Sequence, residues 1–347
     1  MPDIHDFHAN NADWRQSIRR NRWRTIFVVV TFVLIYLVLG LLVDAYIYSG
    51  HYPQAPLSQI FYALLTFQLF PKAALITGII AIISLWVTFA FHDKLMLLGS
   101  DYREITPENA ANVTEKALYN VVEEMKIAAG IKFMPKVYII NADYMNAFAS
   151  GYSEKSAMVA ITSGLLAKLD RDELEAVIAH EVSHIRHMDI KLTLMASVLA
   201  NIMLIVVDIL FFSAIFGGRG DRESSGRNQL FFIILILRYL LPILTVILML
   251  YLSRTREYMA DAGCVELMRN NEPLARALLK IQNDHEQNSE AYGQAYAQTP
   301  HESVRRAAYI FDPLKAGIEV KHSLSDFFST HPSIPKRLAA IGFKLKP

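Results

Sequence analysis

The sequence predicts a mainly helical α+β protein, in which a body with a small sheet is combined with four transmembrane helices. Three observations lead there. Four long apolar segments interrupt a 347-residue chain that is 53% hydrophobic and only 19% charged. A stretch without Gly or Pro, Asp172 to His187, carries His180-Glu181-Val182-Ser183-His184. Two short runs rich in β-branched residues, Pro135 to Asn141 and Ala157 to Thr162, read as strands.

Taken in order, the chain opens on an arm, residues 1–24, whose polar start (Met1 to Asn11) predicts mobility. Trp14 and Trp23 lie among Arg15, Arg19, Arg20, Arg22 and Arg24 and suggest an interfacial anchor. Residues 25–46 and 73–91 are the first two expected spans, each close to the ~20 residues that cross a bilayer. The first is no signal peptide, because a long polar arm precedes it and no clear small-residue cleavage site follows. Between them Ile60 to Phe70 is apolar but short, and fits either an interfacial or a re-entrant segment.

Region 92–190 follows. Thr106-Pro107 reads as a helix N-cap with Pro in the first turn, and Gly130 as the C-cap. Ala117, Leu118, Val121, Val122, Met125 and Ile127 would form the buried face of the helix between them. Asp170 and Glu173 have capping-box spacing ahead of the His180 helix. The third and fourth spans, residues 191–216 and 230–252, contain one charge each, Asp208 and Arg238. Charge within a span is unfavourable, so the two could pair, or Arg238 could snorkel. Region 253–347 reads as a helix from Ser253 to Arg269, a second from Pro273, an irregular polar stretch from His285 to Gly317, and a short helix containing Arg337. There is no internal repeat or low-complexity segment.

Arginines crowd the start of the first span and follow the fourth as Arg254 and Arg256, whereas residues 44–72 hold only Lys72 as a strong base. The positive-inside rule therefore predicts cytoplasmic termini, with Arg219, Arg222 and Arg227 as a countersignal. The lone Cys264 permits no intrachain disulfide and suits a small buried position. No nucleic-acid partner is expected at a net charge of +1.

Residues four apart share a helix face, so His180 and His184 present two imidazoles to one point, as a tetrahedral metal site requires. Glu181 sits beside that point, where a carboxylate can take a proton from water. The bland alternative is a surface helix with two histidines. Glu257 is the candidate third ligand: its helix follows the fourth span as the His180 helix precedes the third, and a membrane hairpin returns the chain to the same side. Otherwise it forms a local ion pair with Arg254 or Arg256. Asp261, one turn on, could accept a hydrogen bond from the outer nitrogen of a ligand histidine. The polar residues Arg186, His187, Asp189 and Lys191 put the motif at a membrane surface and not within the bilayer.

His180-Glu181-Val182-Ser183-His184 with Glu257-Tyr258-Met259-Ala260-Asp261 resembles the motif pair of the HtpX group of membrane zinc peptidases, gluzincins related to the CAAX prenyl protease. Asn146-Ala147-Phe148 and Thr330-His331-Pro332 with Arg337 extend the resemblance over nearly the whole chain. It implies a gluzincin-like fold and a zinc-dependent endopeptidase of the bacterial inner membrane, with a cytoplasmic site and a role in quality control of damaged membrane proteins. One Zn²⁺ would be held by His180, His184 and Glu257, and Glu181 would be the general base. His331 would donate to the developing oxyanion, and Asn146, Ala147, Phe148 and Arg337 would contact substrate. The implied partners are unfolded or membrane polypeptides, the lipid bilayer and other quality-control proteases. His187 has no role in the pattern and reads as a solvated histidine in preference to an auxiliary ligand. A narrow-specificity processing peptidase is the second enzymatic reading, disfavoured by too few spans to enclose a large chamber. A silent adaptor would have lost Glu181 or a ligand, and none is lost.

Overall fold

The structure is a computed structural model, and it describes residues 4, 7–9, 13–97, 101–151, 153–216, 225–298, 309–311 and 331–345. The chain divides into two compact units: residues 1–25, 89–192 and 252–347 form one, and residues 26–88 and 193–251 the other.

All four expected spans lie in helices long and apolar enough to cross a membrane: α1 (Trp14–His51), α3 (Lys72–Leu97), α7 (Asp189–Phe216) and α8 (Ser225–Met268). Leu34, Ile82, Trp86 and Ile236 are exposed along them, as lipid-facing side chains would be. Within the apolar unit, the buried Asp44 of α1 accepts hydrogen bonds from the amides of Ala73 (2.8 Å) and Ala74 (2.9 Å). A carboxylate from one helix thus caps the first turn of another, satisfying amides that have no partner within their own helix. The segment from Ile60 forms a short helix, α2 (Leu57–Leu65), whose Ile60 and Leu64 pack with Ala45 of α1. Asp208 and Arg238 do meet, at 3.4 Å, and the guanidinium also lies 4.1 Å from the centre of the Phe211 ring. The fourth span and the helix expected from Ser253 to Arg269 form one continuous helix, α8, which ends at Met268.

The second unit is built on a four-stranded mixed sheet of β2 (Tyr102–Ile105), β3 (Lys136–Ile140), β4 (Ala147–Ser150) and β5 (Met158–Thr162), in the order β2-β3-β5-β4. Only β3 and β5 run parallel. Helix α4 (Val113–Ala129) packs on α6 (Arg171–Arg186), which follows the short α5 (Ser163–Lys168) and lies against β4 and β5. Leu118, Val121 and Val122 of α4 share one core with Val159 and Ile161 of β5, Val177 and Ile178 of α6, and Leu278 of α9 (Glu272–Gln287).

Several boundaries differ from expectation. Helix α4 starts at Val113, not Pro107: Asn109 turns the chain at Thr106 through its side chain, and Asn112 is the true N-cap, accepting from Glu115 N at 2.8 Å. Gly130 does close the helix, in the left-handed conformation at φ 71°. Ile127 points outward, on the exposed side of the last turn. The polar stretch from His285 contains the end of α9 and a further helix, α10 (Ser289–Gln298), held by Tyr292 against His285 and Tyr144. The N-terminal arm includes a strand, β1 (Phe7–Ala9), paired antiparallel with β6 (Phe343–Leu345), and Phe7 is buried in the core. The helix containing Arg337 is α11 (Ile334–Ile341), which Gly342 ends. Ser329, Thr330, Arg219 and Arg222 lie outside the described residues.

Helices α6 and α8 approach closely at Gly263. A Cβ there would lie 2.6 Å from Ser183 Oγ and 2.9 Å from Ser183 Cβ. Ser183 Oγ is itself tied to Ala179 O (2.7 Å), and Cys264, fully buried as expected, donates through Sγ to Ala176 O at 3.3 Å. Gly263→Ala should therefore force the helices apart and destabilise this unit by about 1–3 kcal/mol, the usual range for overpacking a tight contact. Thermal unfolding of the detergent-solubilised chain reads the effect, and an unchanged midpoint would contradict the close packing.

Candidate metal centre

Helix α6 begins with the expected capping box: Asp170 accepts from Glu173 N at 2.9 Å, and Glu173 accepts from Asp170 N at 3.0 Å. Such caps are worth about 1 kcal/mol. Two turns on, His180, Glu181 and His184 are all buried, and α8 brings Glu257 and Asp261, also buried, against them. One ligand atom from each of His180, His184 and Glu257 lies within 4.8 Å of the others.

Hydrogen bonding defines which nitrogens converge. His180 Nδ1 lies 3.1 Å from Asp261 Oδ1, the contact expected of Asp261, and His184 Nδ1 lies 3.0 Å from Asp189 Oδ2. Each Nδ1–H therefore donates to a carboxylate, which leaves the lone pair on Nε2. The two Nε2 atoms stand 3.2 Å apart. Glu257 places Oε2 3.7 Å from His180 Nε2 and Oε1 3.6 Å from His184 Nε2. Without a metal a proton on His180 has to bridge these atoms, whereas a divalent cation would satisfy both imidazoles and the carboxylate together. Ligands of a tetrahedral zinc with bonds of about 2.0–2.1 Å stand roughly 3.3 Å apart, close to these separations. The donor set fits a divalent metal.

Glu181 strengthens that fit. Both of its oxygens are buried, and the donor beside them is the backbone amide of Ala149. Burial raises its carboxyl pKa, with His180 and His184 opposing. A buried carboxyl with a raised pKa is suited to accepting a proton near neutral pH. Burial works against charge on His180, yet Asp261 and Glu257 hold its pKa at about 9 in the metal-free state.

Other expected residues lie beside this cluster. His331 is buried, with Nε2 3.8 Å from Glu257 Oε1. Arg337 is buried and ties the C-terminal helix to the site: its Nη2 and Nε donate to Asp261 at 2.6 and 3.0 Å, and Nη1 stands 3.6 Å from Glu257. Burial opposes its charge, and Asp261 and Glu257 outweigh that and keep it protonated. Neither Arg254 nor Arg256 forms the ion pair with Glu257 weighed above; Arg256 instead faces Asp189, at 3.8 Å. His187 is half-buried at the end of α6, where its amide bonds Ser183 O, and burial lowers its pKa. It is not one of the three converging ligands.

Ala147 and Phe148 begin the edge strand β4, and Asn146 directly precedes it. Asn146 turns its backbone carbonyl toward β5, so Ala147 and Ala149 turn theirs outward. The outward Ala147 carbonyl accepts from Ile310 N (2.9 Å), and Asn146 Nδ2 donates to Phe311 O (3.0 Å). Phe148 is buried edge-on to Tyr309. These three residues therefore hold residues 309–311 of the same chain. The amide of Ala149 is the outward group beside Glu181.

Sequence reasoning named Asp189 only as a polar residue near a helix end and gave Gly263 no role. The signal for Asp189 was a carboxylate five residues after His184, across a helix break where Met188 takes φ 53°. Helix periodicity alone does not bring those two together.

Comparison with known proteins shows the family. The model for peptidase family M48 matches residues 112–342. A protein named Protease HtpX homolog from Helicobacter pylori (strain J99 / ATCC 700824) is 40% identical over 330 residues, covering 95% of this chain and 98% of its own length. Another of that name, from Helicobacter acinonychis (strain Sheeba), is 40% identical over 329 residues, with 95% and 98% covered. The crystal structure of S. mikatae Ste24p is similar at 19% identity and a TM-score of 0.49, covering 91% of this chain and 67% of that one.

Proposed function

The chain belongs to peptidase family M48 and is an HtpX-type membrane metalloprotease, and from that premise we propose that it is a zinc-dependent endopeptidase acting on misfolded or damaged membrane proteins under stress. The observation that carries the zinc-hydrolase part of this reading is the convergence of the two Nε2 atoms and Glu257 beside a buried Glu181.

His180, His184 and Glu257 would hold the ion. When bound, zinc supplies Lewis acidity, which polarises a carbonyl and makes water acidic enough to ionise near neutral pH. Glu181 takes the proton from the attacking water and returns it to the leaving amine. His331 donates a hydrogen bond to the oxyanion as it develops. Arg337 fixes Asp261, which in turn fixes His180, and so serves the site by positioning. An extended substrate docks along the outward edge of β4, where the main chain around Ala149 is nearest the base. Asn146, Ala147 and Phe148 shape that edge through their hold on residues 309–311. Recognition of main chain in preference to side chain gives loose specificity, which suits chains damaged in many ways.

We assign the protein to the bacterial inner membrane, with both termini and the site cytoplasmic, on the arginines beside Trp14 and after Leu252.

Glu181→Gln should keep the metal content of the native protein and lower cleavage of unfolded casein by at least about 10²-fold, the contribution expected of a general base. Undiminished turnover would exclude the mechanism. The topology is tested in a Cys264→Ser background on intact cells. An impermeant thiol reagent should label Ser224→Cys and leave Glu286→Cys untouched, whereas labelling of Glu286→Cys alone would place the site outside.

A further inference from the structure

We propose that Asp189 and Arg256 are positioning residues that hold His184 in its ligand orientation, a proposal that rests on the reading of the cluster as a metal centre. Asp189 is completely buried, and its Oδ2 stands 3.0 Å from His184 Nδ1. Its other oxygen, Oδ1, faces Arg256 Nε at 3.8 Å, and the Arg256 side chain is only 9% exposed. Arg256 directly precedes the ligand Glu257 on α8.

The arrangement repeats the one around the other histidine. His180 Nδ1 meets Asp261, and Asp261 is held by Arg337. His184 Nδ1 meets Asp189, and Asp189 faces Arg256. Each ligand imidazole is thus backed by a carboxylate, and each carboxylate by an arginine. A carboxylate behind an imidazole fixes the tautomer, aims the ring and raises its basicity. The arginine attracts the buried carboxylate and holds it in place.

The two chains of contacts differ in origin and in tightness. Arg337 bonds Asp261 through two nitrogens, at 2.6 and 3.0 Å, whereas Arg256 approaches Asp189 at 3.8 Å. Asp189 is also the first residue of α7, where the helix dipole favours a negative charge. The orientation of His184 therefore depends on Asp189 at the start of α7 and on Arg256 of α8.

Zinc affinity of the purified full-length chain in detergent, measured by competition with a chromophoric chelator, tests the proposal. The visible spectrum of the Co²⁺-substituted protein reports ligand geometry in parallel. Asp189→Asn should weaken zinc binding about 10–100-fold, the usual effect of losing such a partner, and should alter the Co²⁺ bands. Arg256→Gln should act in the same direction but less, Arg256→Lys should restore part of the loss, and the double variant should bind no more weakly than Asp189→Asn. Native affinity and an unchanged Co²⁺ spectrum in Asp189→Asn would overturn the proposal and leave the metal centre standing. Should Asp189→Asn fail to fold, native affinity in Arg256→Gln would overturn it equally. Failure of the unmodified chain to bind zinc would instead overturn the reading of the centre itself, and the proposal with it.

Discussion

The close approach of α6 and α8 is the constraint on which the site depends. At Gly263 a side chain would push the helices apart, and the Cys264 thiol and Ala176 carbonyl meet across the same contact. With the helices at that distance, His180 and His184 from one and Glu257 from the other converge within 4.8 Å. Neither helix could build the cluster alone. A helix offers one point to residues four apart, and the third ligand has to come from a neighbour.

That convergence concentrates buried charge, and the surrounding residues balance it. Burying an ionised group is strongly unfavourable unless it is paired. Asp261 is matched by Arg337 and Asp189 faces Arg256. Glu257 stands among three histidines and Arg337, while Glu181 is buried with the Ala149 amide beside it. A divalent cation among the Nε2 atoms would take the place of the proton that His180 holds in the metal-free state. Removing one member of such a network leaves another buried charge unpaired, so the geometry is held by mutual dependence and not by any single bond.

Much of this was legible in the sequence because it follows from short-range rules. Helical spacing put His180 and His184 on one face, the capping box marked the start of α6, and run length identified the four apolar helices. Glu257 and Asp261 followed from the logic of a hairpin that returns α8 beside α6. What escaped needed tertiary detail. Asp189 reaches His184 only because the chain reverses at Met188 into a left-handed conformation. The cap at Thr106 competed with Asn109 and Asn112, which offer the same chemistry a few residues later. The arm carrying Phe7 gains its strand only from a partner, Phe343 to Leu345, at the far end of the sequence. Ala147 faces the sheet edge, but residues 309–311 already bond to it, and no local pattern reveals that.

The central claim is that two imidazoles and one carboxylate from α6 and α8 form a zinc site. X-ray absorption at the metal edge of the purified chain tests this most directly. We expect zinc in a nitrogen and oxygen shell at about 2.0–2.1 Å, without sulfur, outer-shell scattering from two imidazoles, and loss of one light-atom ligand in Glu257→Ala. A sulfur-containing shell, three or more imidazoles, or a spectrum unaffected by Glu257→Ala would contradict the site described.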